Sequence, residues 1–138
     1  MANLNDWPNG GEIDILEGVN NQQSNHYAFH VGGTCSQSGQ SQTGYVDSTD
    51  CNVYNTGNAG CGGWADDTNT YGDGMNDVGG GVYAMDWRKK GIRIWYFPPD
   101  GIPKDILNGK PTTAGWGKVK FPTLLLKLIC PAYGRFAK

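Results

Sequence analysis

Three carboxylates stand within six residues in Glu12-Ile13-Asp14-Ile15-Leu16-Glu17, interleaved with apolar side chains. The alternation and the β-branched content predict a strand. In a regular strand Glu12 and Asp14 share one face, and Ile13 and Ile15 share the other. Glu17 then falls on the apolar face, where a buried carboxylate is costly unless paired. A single β-bulge between Asp14 and Glu17 adds one residue and resets the alternation. All three acids then point the same way.

Such a trio suits acid–base chemistry on a sugar. With the bulge, Glu12 and Glu17 are about 13 Å apart along the backbone. Leaning together, their carboxyls reach the ~5–5.5 Å of a retaining glycosidase. One carboxylate then attacks the anomeric carbon, while the other protonates the leaving oxygen and later serves as base toward water. Asp14, between them, offers a hydrogen bond. The plainer alternatives are solvated acids on an exposed sheet face, or a calcium site.

Positioning these groups requires a sheet. His26-Tyr-Ala-Phe-His-Val31 alternates again and predicts a second strand, antiparallel to the first, after a Gly18–Asn25 loop. A short strand is expected around Gly44-Tyr-Val46. Residues 52–76 are mostly Gly, Asn, Asp and Thr, and read as loop. Within them Asp67-Thr-Asn-Thr-Tyr-Gly-Asp73 opens like a calcium-binding loop, but Val78 stands where the bidentate Glu is needed, so a solvated loop is expected. Gly81–Trp87 and Gly91–Phe97 predict a hairpin joined at Arg88-Lys-Lys-Gly91, with Pro98-Pro99 ending the second strand. Ile102–Pro111 reads as a connector with one helical turn.

Composition agrees with short strands and turns. The 138 residues include 22 Gly and 16 aromatics, and only 17% are charged. That mixture excludes coiled coils and helix bundles and argues against disorder. Thr123–Cys130 is too short, and too interrupted by Lys127, to span a bilayer. Charge is split: residues 1–87 hold eleven Asp and Glu and no Lys or Arg, while residues 88–138 hold eleven Lys and Arg and two acids. The bases are scattered without a nucleic-acid-binding signature, so neither nucleic acid nor membrane is an expected partner. Cys35, Cys51, Cys61 and Cys130 fit an oxidising compartment and allow three pairings. No zinc-ligand spacing is present. Met1–Asp6 lacks the basic end and apolar core of a signal peptide.

Trp7-Pro-Asn-Gly-Gly-Glu-Ile-Asp-Ile-Leu-Glu-Gly-Val-Asn20 resembles the active-site signature of glycoside hydrolase family 16, and most nearly that of its fungal endo-1,3(4)-β-glucanases, or laminarinases. The E-x-D-x-x-E spacing is the bulged form. His26–His30, Ser48–Cys51, Asn58–Cys61, Gly79–Trp87, Gly91–Trp95 and Ile102 to Trp116-Gly117 match as well. The resemblance implies an all-β fold: a concanavalin A-like β-jelly-roll sandwich of antiparallel strands with long Gly/Asn-rich loops, here partial. It implies Glu12 as nucleophile, Glu17 as acid/base and Asp14 as assisting carboxylate. Trp7 is implied as a sugar-stacking aromatic and His30 as a residue orienting substrate near the acid/base. Asp86, Trp87, Trp95 and Trp116 read chiefly as sheet packing. No cofactor is implied; the partner is a β-glucan polysaccharide and the location extracellular. Members of the family carry a signal peptide and several strands before this signature. Residues 1–118 are therefore expected to be a partial catalytic domain, and residues 119–138 a divergent basic and apolar tail. The alternative to a hydrolase is a catalytically impaired glucan-binding fragment.

Overall fold

A computed structural model describes residues 5–37, 42–88 and 91–117. The basic and apolar segment 119–138 and Cys130 lie outside them.

The acidic run is strand β1 (Glu12–Glu17), and the run after it is β2 (His26–His30). They pair antiparallel, with Glu12 opposite His30, Asp14 opposite Ala28 and Glu17 opposite His26. Three steps on β1 match two on β2, so one extra residue sits between Asp14 and Glu17. This is the bulge that the carboxylate pattern requires. Strand β3 (Tyr45–Ser48) and strand β4 (Cys61–Trp64) complete a four-stranded antiparallel sheet in the order β1-β2-β4-β3. Strands β5 (Val82–Arg88) and β6 (Gly91–Phe97) form the expected hairpin, in continuous register from Val82 opposite Phe97 to Arg88 opposite Gly91.

Segment 52–76 departs from its reading as loop. It holds β4, a short helix α1 (Val53–Thr56) and the start of a second, α2 (Gly72–Asp77). Cys61-Gly-Gly-Trp64 has neither alternation nor β-branched residues, so local propensity gives no strand signal. Its place is set across the sheet. A Cβ on Gly63 would stand 2.2 Å from the Tyr27 hydroxyl, and one on Gly62 would stand 2.9 Å from the His26 ring. The two glycines make room for β2 side chains on opposite faces. The calcium-like segment is also less solvated than expected. Thr70 is buried, donates to the Asp67 carbonyl at 2.8 Å and accepts from the Asn25 backbone N–H at 2.9 Å.

The main core lies between the two sheets. Tyr27 and Phe29 from β2, with Ile13 and Ile15 from β1, meet Ile92, Ile94 and Tyr96 from β6. Burial of these side chains is the main driving force for closing the layers. A disulfide between the fully buried Cys51 and Cys61 ties the start of β4 to the segment before α1. The far side of β6 packs Trp95 and Phe97 against Trp116, with edge-to-face centroid distances of 5.2 and 5.6 Å. A single helical turn, α3 (Lys104–Leu107), lies in the expected connector. Among the described residues no helix is long and apolar enough to cross a membrane.

Candidate active site

With Ile13 and Ile15 turned into the core, the other face of β1 carries the acids. Glu12 and Asp14 lie at one end of the strand pair. The indole N–H of Trp7 donates to Glu12 Oε2 at 2.8 Å. His30 Nε2 lies 3.2 Å from Asp14 Oδ2. That hydrogen bond is the main reason the His30 pKa is raised; burial opposes it, and the charges of Asp14, Glu12 and Glu17 reinforce it. Asp14 is therefore engaged by His30.

Glu17 lies past the bulge and is held by its backbone. Its N–H donates to Asn25 Oδ1 at 2.9 Å, and its carbonyl accepts from Gln22 Nε2 at 2.9 Å. The carboxylate faces a second histidine: His26 Nδ1 stands 2.9 Å from Glu17 Oε2. The opposite ring nitrogen of His26 stands 3.0 Å from Asp47 Oδ2, and Trp64 Nε1 donates to that same oxygen at 3.1 Å.

The face thus has two ends, one built from Trp7, Glu12, Asp14 and His30, the other from Glu17, His26, Asp47 and Trp64. His30 lies beside Asp14, and the histidine in contact with Glu17 is His26. His26, Asp47 and Trp64 are not among the site residues that the sequence singles out. His26 does sit at even spacing from His30 on a predicted strand, which puts both rings on one face. Asp47 and Trp64 carry no local signal, because they join the site through β3–β4 pairing.

Glu12, Asp14 and His30 also offer ligand atoms within 4.8 Å of one another, a spacing open to a cation. Trp7 and His30 already supply hydrogen bonds to the two acids. The tryptophans read as packing divide. Trp95 is buried and Trp116 packs on it, whereas Trp87 on β5 is exposed. Asp86 pairs with Arg88 and Arg93. Burial pushes its pKa up, and the two guanidinium groups more than offset this, leaving it below the usual carboxylate value.

A sequence profile of the XgeA-like catalytic domain of glycoside hydrolase family 16 matches residues 1–124. The chain is 44% identical over 117 residues to a probable glycosidase of Schizosaccharomyces pombe, a match covering 82% of this chain and 28% of that protein. It is 45% identical over 114 residues to a probable endo-1,3(4)-β-glucanase of Neosartorya fischeri, covering 81% of this chain and 17% of that protein. A structure of laminarinase 16A from Phanerochaete chrysosporium, with two β-glucans in its donor and acceptor sites, superposes with a TM-score of 0.85 at 37% identity. That match covers 95% of this chain and 45% of the laminarinase. The two packed sheets are accordingly part of a β-jelly-roll. The chain spans under a third of the length of these two curated relatives.

Proposed function

Because the chain belongs to glycoside hydrolase family 16, in its XgeA-like catalytic group, we propose that it carries the catalytic strand of a retaining endo-1,3(4)-β-glucanase. The observation that carries this reading is the bulge between Asp14 and Glu17, with Glu12, Asp14 and Glu17 all meeting polar partners on the open face.

In this reading Glu12 attacks the anomeric carbon of a β-glucan. The glycosidic bond breaks, its electron pair stays on the leaving oxygen, and Glu17 supplies the proton. Water then attacks the same carbon, the bond to Glu12 breaks, and Glu17 takes the water's proton. The Trp7 N–H aims the Glu12 carboxylate, and the indole face offers a platform for the C–H face of a glucosyl ring. His30 holds Asp14, whose charge lies beside both reacting glutamates in sequence. No step needs a cofactor. The buried Cys51–Cys61 disulfide supports an oxidising, extracellular location.

The test is release of reducing sugar from laminarin, with the anomer of the first product read by NMR. Release of the β-anomer, abolished by Glu12→Gln, is the expected result. A soluble, cooperatively melting chain that releases none overturns the reading. If that chain still retains laminarin, and Trp7→Ala loses it, the function becomes glucan binding without turnover.

A further inference from the structure

His26 is the one described side chain that touches carboxylates on two different strands of the site, Glu17 on β1 and Asp47 on β3. We propose, resting on the hydrolase reading above, that His26 is a positioning residue for the acid/base Glu17, and that Glu17, His26 and Asp47 form one proton-holding relay.

Three features build this array. Glu17 is presented by the bulge in β1. Asp47 is presented by a second register shift, in β3 between Val46 and Ser48. A bulge re-aims a side chain, so the two irregularities turn their acids toward the same ring from opposite sides. Between them lies β4, and the ring crosses it over Gly62. A Cβ there would stand 2.9 Å from both Cε1 and Nε2 of His26, so a larger residue blocks the crossing.

The proton count follows from donor and acceptor chemistry. A neutral imidazole has one N–H, and an ionised carboxylate can only accept. Two ring nitrogens facing two carboxylate oxygens make two hydrogen bonds only if the three groups hold one proton beyond that count. With Asp47 ionised and accepting from both the Trp64 N–H and the ring, the added proton lies in the His26–Glu17 contact. A general acid needs a proton there. When Glu17 gives that proton to the leaving oxygen, the His26–Glu17 contact is left without one, and the N–H that remains on His26 faces Asp47. When Glu17 takes a proton from water, the contact returns to its starting state.

The experiment compares two substrates. Laminarin leaves through a sugar hydroxyl and needs the acid; a dinitrophenyl β-laminarioligoside leaves through a phenolate and does not. His26→Gln is expected to lower kcat on laminarin by about tenfold to a hundredfold with KM little changed, and to cost at least tenfold less in kcat/KM on the aryl substrate, which reports the first step alone. Asp47→Asn, which keeps an acceptor, is expected to show the same pattern with a smaller loss. It carries the comparison should His26→Gln fail to melt cooperatively. Equal losses on both substrates, or none on laminarin, overturn the assignment while the hydrolase reading stands. A folded unmodified chain that turns over neither substrate overturns both.

Discussion

Asn25 grips β1 on both sides of the residue that carries Glu17's turn outward. Its Oδ1 accepts from the Glu17 N–H at 2.9 Å, and its Nδ2 donates to the Ile15 carbonyl at 2.8 Å. The side chain is fully buried, and its own backbone N–H is tied to Thr70. A bulge leaves ladder groups unpaired. Here one amide satisfies the donor and the acceptor that the extra residue strands. Asn25→Ala removes both bonds at a site closed to water, at an expected cost of about 2–4 kcal/mol. Urea unfolding checks the stability loss. Laminarin turnover is expected to fall further than the unfolded fraction explains, because Glu17 loses the clamp that aims it.

This dependence explains which parts of the molecule can be read from sequence. β1 is legible because its acids and isoleucines conflict unless the strand bulges, and the conflict lies within six residues. The hairpin is legible because both arms are rich in β-branched and aromatic residues and a short basic link ending in Gly91 joins them. β4 is not, because Cys61-Gly-Gly-Trp64 becomes a strand through β2 side chains that need its missing Cβ atoms. The Glu17 end of the site is hidden for the same reason. His26 is visible as a strand residue, but its reach to Asp47 depends on β4 lying between β2 and β3. The Glu12 end is more legible, since Trp7, Glu12 and Asp14 lie close in sequence.

The His30–Asp14 pair predicts a pH dependence of stability. The pKa of His30 is raised above its ordinary 6.5, chiefly by the hydrogen bond to Asp14. A raised folded-state pKa stabilises fully below the unfolded value, and the gain is lost as pH rises through the folded midpoint. The stability lost in Asp14→Asn is therefore expected to be largest near the acidic end of a window from about pH 5 to about pH 9 and to shrink toward the alkaline end. Urea unfolding of both proteins across that window measures it. A loss that stays flat with pH counts against the assignment. An NMR titration of His30 should give a midpoint above 6.5 that falls in the variant.

The Cys51–Cys61 disulfide closes a loop with a sequence separation of 10 and is fully buried at both ends. Closing a loop of that size in the unfolded chain is worth about 3 kcal/mol. The bond also anchors the first residue of β4, the strand that His26 must cross. The double change Cys51→Ala and Cys61→Ala is therefore expected to cost about 3 kcal/mol in urea unfolding under oxidising conditions. Under strong reductant the two proteins should become nearly equal. A difference that persists in reductant would assign the loss to packing.

Trp7 serves two ends at once, and two substitutions separate them. Its N–H holds Glu12 Oε2 at 2.8 Å, while in the proposed function its ring is the apolar platform for a sugar. Trp7→Phe removes the donor and keeps an aromatic face. It is expected to retain most laminarin affinity and to lose about tenfold in kcat, since a charge-assisted bond that aims the proposed nucleophile Glu12 is worth about 1.5–3 kcal/mol and only part of it is spent in the transition state. Trp7→Ala removes both and should also raise KM. Steady-state kinetics and laminarin binding on the two variants decide the matter. If Trp7→Phe raises KM as much as Trp7→Ala at unchanged kcat, the N–H has no part in aiming Glu12, and Trp7 acts only as a platform.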